Sequence, residues 1–197
     1  MSVTRERWRY RLPHWEVAER PHFTTFRSAH SLPRVACAQI AEIHAALGII
    51  KPASPQFAVL QRKYFSLSEK YLDQGVGFTP FLDPAVCQIV RDGWSWLANE
   101  GGWQVPHYVI MLNHVHFLLA PDNDSPLPLR VALRNFKGRT GRLANAALGR
   151  TGPFWQADSF DCWMRDEAET ARVIEYIRQN PVKAGLVRQW QDYQWVG

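Results

Sequence analysis

Two β-rich runs, Trp103 to Ile110 and His114 to Ala120, are separated only by Met111-Leu112-Asn113. So short a spacer joins antiparallel neighbours, because parallel strands need a crossover of about a dozen residues or more. The chain must therefore build a sheet around this hairpin, and the flanking segments supply helices to cover it. Asp83 stands as an N-cap before Pro84, and Val86, Ile89, Val90, Trp94 and Leu97 form one apolar face up to a Gly101-Gly102 stop. Further helices are expected over Leu129 to Leu148 and over Glu167 to Gln179, the latter ended by Asn180-Pro181. Upstream, the Thr- and Phe-rich stretch from Pro21 to Ser28 reads as the first strand. Between Leu32 and Tyr71 apolar residues recur at helical spacing, which predicts two short helices with a Pro-stopped joint at Lys51-Pro52-Ala53-Ser54-Pro55. Phe154 to Met164 reads as irregular or extended. The order predicts an α+β sandwich, a small antiparallel sheet with helices packed on it.

A chain of 197 residues with 46% hydrophobic and 21% charged residues can bury a core as one domain, which excludes wholesale disorder. No apolar run approaches the ~18–20 residues that cross a bilayer, and the start resembles no secretion signal, so a cytoplasmic location is expected. Cys37, Cys87 and Cys162 are odd in number and widely spaced, and they are read as reduced thiols rather than a disulfide or zinc framework. The basic, aromatic residues Met1 to Glu19 show no clear period and are expected to form a loosely docked arm. A net charge of +5 and nine Trp suit a polyanionic partner such as single-stranded nucleic acid, although most of the rings are expected in the core.

Chemistry concentrates in two places. In His114-Val115-His116 on a strand, positions i and i+2 project from one face, so both imidazoles address one point while Val115 and Phe117 face the other side. That is half of a divalent-metal site, read here as an exposed pair in front of buried sequence; a satisfied pair of structural histidines is the alternative. In the last helix, Ala171, Ile174 and Ile177 are expected as the buried stripe, with Tyr176 and Asn180, one turn apart, together on a different face. A half-buried packing tyrosine and a plain helix stop are the alternatives there. On the Leu129–Leu148 helix, Arg130, Arg134 and Lys137 line one edge able to follow a phosphate backbone, or simply a solvated face. Trp155, in Gly152-Pro153-Phe154-Trp155-Gln156, either stacks on bases or plugs the core.

Taken in order, Phe23-Thr24-Thr25-Phe26-Arg27-Ser28, Met111-Leu112-Asn113-His114-Val115-His116-Phe117-Leu118-Leu119, Gly152-Pro153-Phe154-Trp155-Gln156 and Tyr176-Ile177-x-x-Asn180-Pro181-Val182-Lys183 closely resemble the IS200-like Y1 transposases of the HUH superfamily, and most of all the REP-associated tyrosine transposases. The resemblance spans about Pro21 to Val187. It implies a ferredoxin-like core with the histidines on a central strand and the tyrosine on a late helix. The domain would cover residues 21–190, with a helical insertion at about 33–75, an arm at 1–20 and a tail at 191–197. By position, His114, His116 and Asn180 would ligate Mg²⁺ or Mn²⁺, and Tyr176 would be the nucleophile that cuts single-stranded, hairpin-forming DNA through a 5′-phosphotyrosine. Arg130, Arg134, Lys137, Trp155 and Lys183 would contact DNA, Glu169 is a candidate activator of the phenol, and a monomer is implied. Leu112 stands where relatives commonly have Pro, and Cys162 where they have His. A non-catalytic hairpin-binding protein and a metal-dependent hydrolase remain as rival readings.

Overall fold

The computed structural model describes residues 3–9, 12–51, 54–122 and 126–197. In chain order its elements are β1 (Thr4–Arg9), β2 (Pro13–Val17), β3 (His22–Arg27), α1 (Arg34–Ile49), α2 (Pro55–Leu72), α3 (Pro84–Gly101), β4 (Trp103–Ile110), β5 (His114–Pro121), α4 (Leu129–Ala147), β6 (Phe160–Trp163) and α5 (Glu167–Lys183). β3 to β6 form an antiparallel sheet in the order β4-β5-β3-β6. Its strands thus lie in the sequence second, third, first, fourth, which is the ferredoxin-like arrangement expected from the motifs.

Local chemistry explains the elements. Asp83 caps α3 by accepting from the Ala85 N–H at 2.9 Å, Pro84 opens the helix, and Gly102 closes it at φ +68°. A side chain at Gly102 would be strained at that φ, and its Cβ would come within 2.8 Å of the Pro126 backbone. α1 and α2 run longer than the short helices expected; Pro52 and Ala53 of their joint lie outside the described residues.

Alternation along β5 divides the interior. Val115, Phe117 and Leu119 join Phe26 under α3 and α4, where Val90, Trp94, Leu97, Leu133 and Phe136 form the larger core. On the opposite face, Phe23, Val109, Leu118 and Ile177 pack beneath α5. The α1–α2 hairpin has a small core of its own, with Ile40, Ile43, Leu47, Phe57 and Leu72.

Three expectations are corrected. The N-terminal segment is a hairpin, β1–β2, rather than a loose arm; Met1, Ser2, Tyr10 and Arg11 are outside the described residues. It is pinned by buried polar contacts: His14 lies between Asp158 and Asp161, and Glu16 Oε2 accepts from the Leu129 N–H at the start of α4 (2.7 Å). Second, α5 does not stop at Asn180 but continues through Pro181 to Lys183, ending at Gly185 with φ +69°. Third, its buried residues are Ile177, Asn180 and Pro181, whereas Ala171 is exposed, because the helix lays the face carrying Asn180 on the sheet. The tail docks too: Val196 bridges to Val109, and the Ile110 N–H donates to the Trp195 carbonyl at 2.9 Å along the outer edge of β4.

Candidate metal and nucleophile site

β5 sets His114 and His116 side by side on the sheet face beneath α5, their ring centroids 4.7 Å apart. Each ring is held by its Nδ1. The His114 Nδ1–H donates to Asn113 Oδ1 at 2.8 Å, and that amide is fixed in turn because its nitrogen donates to the Val76 carbonyl. His116 Nδ1 lies 2.8 Å from the hydroxyl of Thr25, its cross-strand partner on β3. Anchoring Nδ1 in this way directs Nε2 into the site, the arrangement typical of metal-binding imidazoles. Contrary to the exposed pair expected, both histidines are 0% exposed. Burial, with His116 adding to it, pushes the His114 pKa down to about 3, so this imidazole is neutral and keeps a lone pair on Nε2.

The residue that completes the cluster is Glu69, near the end of α2. Its Oε2 faces His116 Nε2 at 3.1 Å and accepts the hydroxyl hydrogen of Tyr176. Ligand atoms from Glu69, His114 and His116 all lie within 4.8 Å of one another. Burial pushes the Glu69 carboxyl up, but His116, then His114 and the Tyr176 hydroxyl, outweigh it and bring the pKa down to about 2. The same burial, reinforced by the Glu69 charge, raises the Tyr176 phenol far above its ordinary value; hydrogen bonding to Asn180 acts in the opposite sense. The phenol ring stands edge-on to Phe23 and packs against Phe65, with Lys183 Nζ 4.8 Å from its centre.

Asn180 is buried one helical turn beyond Tyr176. Its Oδ1, together with His114 Nε2 and Glu69 Oε1, has no hydrogen-bond partner among the described residues. Buried polar atoms left unpaired cost ~1–3 kcal/mol each. Imidazole and carboxylate donor atoms around one point are what a divalent cation satisfies, so Glu69, His114 and His116 fit such an ion.

Of the residues singled out in the sequence, His114, His116 and Tyr176 lie side by side, Asn180 is buried one turn from the phenol, and Lys183 borders the phenol ring. The others are placed elsewhere. Arg130 and Arg134 lie on α4, across the sheet from the histidines, and Arg130 pairs with Glu6 at 3.6 Å. Lys137 turns inward: its Nζ donates to the carbonyls of Gln156, Ala157 and Asp158, and burial lowers its pKa to about 8. Trp155 is a core plug, its Nε1–H donating to Thr140 Oγ1 at 2.9 Å. Glu169 accepts from the Arg165 N–H at the start of α5 and serves that helix end, while the carboxylate on the phenol is Glu69. Sequence reading missed Glu69, Thr25 and Asn113. The available signal for Glu69 was an acidic residue on the apolar face that carries Phe57, Tyr64 and Leu72.

No protein-family model matches the chain, and no curated protein matches it. Among solved structures, the chain is similar to a REP-associated tyrosine transposase bound to a REP hairpin, with 17% identity, a TM-score of 0.53, and coverage of 97% of this chain and 81% of that one. It also matches a putative transposase from Deinococcus radiodurans R1 at 13% identity and a TM-score of 0.38, covering 81% and 89% of the two chains. The fold implied by the histidine and tyrosine motifs is thus the fold found: this chain folds as the REP-associated tyrosine transposase does.

Proposed function

We propose that this protein is a divalent-metal-dependent, transposase-like enzyme that cleaves and rejoins hairpin-forming single-stranded DNA through Tyr176. The observation that carries this reading is the meeting of the Tyr176 hydroxyl with Glu69 and the paired imidazoles of β5, with the buried Asn180 one helical turn beyond the phenol. The fold shared with a transposase whose structure holds a REP hairpin supports the choice of substrate.

A phosphodiester resists attack because it is anionic and its leaving oxygen is poor. His114, His116, Asn180 and Glu69 would hold Mg²⁺ or Mn²⁺, which when bound polarises a phosphate oxygen and offsets the charge that develops on it. Tyr176 Oη, held in place by its hydrogen bond to Glu69 Oε2, attacks phosphorus and its proton is released to solvent. The P–O3′ bond breaks, the 3′ oxygen takes up a proton, and the 5′ phosphate remains on the tyrosine. Return attack by a 3′-hydroxyl regenerates the phenol and rejoins DNA, so no external energy is consumed. Lys183 lies beside the phenol and is suited to a neighbouring phosphate.

The test is incubation with end-labelled hairpin oligonucleotides and Mn²⁺, followed by a denaturing gel. The wild-type protein is expected to give a covalent protein–DNA band, whereas Tyr176→Phe binds the hairpin but gives none. Cleavage by that variant would rule out Tyr176 as nucleophile. The enclosure of both histidines favours one second reading, a hairpin-binding protein without catalysis. It predicts a shifted hairpin and no covalent band even from the wild type.

A further inference from the structure

Glu69 does not belong to the sheet or to the tyrosine helix. It arrives on α2, in the helical hairpin between β3 and α3 that has its own small core and would otherwise read as an appendage. An appendage gives no reason for a buried carboxylate aimed out of that core into a cluster of imidazoles and a phenol. Nor is the carboxylate there by slack packing. One turn earlier on the same helix, Phe65 packs on Tyr176, on Phe160 and on Phe23, while Tyr64 stacks on Phe160. These contacts fix the end of α2 against both β3 and α5.

The two carboxylate oxygens are differently engaged. Oε2 accepts from the phenol and faces His116, whereas Oε1 is buried with no hydrogen-bond partner among the described residues. Charge points the same way: two imidazoles and an amide bring no negative charge to a doubly positive ion, and among the described residues Glu69 is the one acid in the cluster of metal-capable side chains. Resting on the reading of Tyr176 as nucleophile, we propose that Glu69 is a positioning residue that joins nucleophile to cation, Oε2 holding the phenol hydroxyl while Oε1 is a ligand, which makes the inserted hairpin part of the active site. The reacting oxygen is then placed beside the ion by one rigid side chain spanning the two.

The decisive variant is Glu69→Gln, which keeps volume and removes the charge, with Glu69→Asp as the charge-retaining companion. Mn²⁺ affinity is measured by calorimetry without DNA. The Tyr176 ¹³Cζ resonance, identified by its loss in Tyr176→Phe, is followed on adding Mg²⁺. Glu69→Gln is expected to bind Mn²⁺ at least about tenfold more weakly, with Glu69→Asp falling between it and the wild type. Mg²⁺ should move the resonance in the wild type and leave it in place in Glu69→Gln. With hairpin DNA, Glu69→Gln should slow covalent adduct formation while leaving DNA affinity unchanged. Wild-type Mn²⁺ affinity in Glu69→Gln, equal losses in the Gln and Asp variants, or a resonance that responds equally in both proteins would overturn the proposal. If the wild type forms no adduct, the nucleophile assignment fails, while the affinity and resonance measurements still decide the role of Glu69.

Discussion

Thr25 contributes no atom to the cation cluster, yet it faces His116 Nδ1 at 2.8 Å in a buried position. A hydroxyl there accepts from Nδ1–H and leaves the Nε2 lone pair for a cation. Replacing it with the isosteric Val strands a buried nitrogen, at a cost on the order of 1–3 kcal/mol. Thr25→Val is expected to lower the urea midpoint and to weaken Mn²⁺ binding ~10–100-fold, read by denaturation and by calorimetry. Unchanged Mn²⁺ affinity would show that the hydroxyl does not set the ring. At this scale the sequence was informative wherever one element carried the pattern. His114 and His116 share a face by strand period, and Tyr176 and Asn180 by helix period. Side chains whose direction depends on another element were misread: Lys137 has the composition of a DNA contact but its ammonium sits over the Phe26 ring, and Trp155 fills the core beside Thr140.

Elements bounded by strong local chemistry were legible almost to the residue. α3 begins and ends where Asp83, Pro84 and Gly102 dictate, and β4 and β5 follow from the three-residue turn between them. Elements with polar residues inside were not. β2 buries His14 and Glu16, so its inward face lacks the apolar alternation that marks a strand, and the hairpin it makes with β1 escapes a reading by period. In α5, Pro181 signals a stop, but it lies in the last turn and the helix closes beyond it at Gly185. Glu69 escaped for a different reason. Its helix is visible in the sequence, but the packing of α2 against Phe23, Phe160 and Tyr176 that carries the carboxylate to β5 is purely tertiary.

At the scale of the whole molecule, the N-terminal hairpin is held to the sheet by an ionisable contact. Burial opposes the charge on His14, but Asp161 and Asp158 outweigh it and raise the pKa from 6.5 to about 9. A folded-state pKa above the unfolded one stabilises fully below about pH 6.5, and that contribution, on the order of 3 kcal/mol at most, is lost as pH rises through about 9. Lys137, depressed to about 8, titrates in the opposite sense, its contribution improving as pH rises from about 8 toward 10.5. The difference between the wild type and His14→Gln therefore isolates the histidine. Urea midpoints should lie well apart at pH 6 and converge by pH 10; a constant gap would mean that His14 is not charged in the folded protein.

Both imidazoles are wholly buried, His116 walled in by Phe23, Phe65 and Tyr176 and His114 beside it, with Glu69 of α2 reaching the pair. An incoming ion must wait for that wall to fluctuate before it meets a donor atom. Uptake of Mn²⁺ should then reach a ceiling, its rate no longer rising with concentration once breathing of the wall has become the slow step, and stopped-flow traces would display that plateau directly.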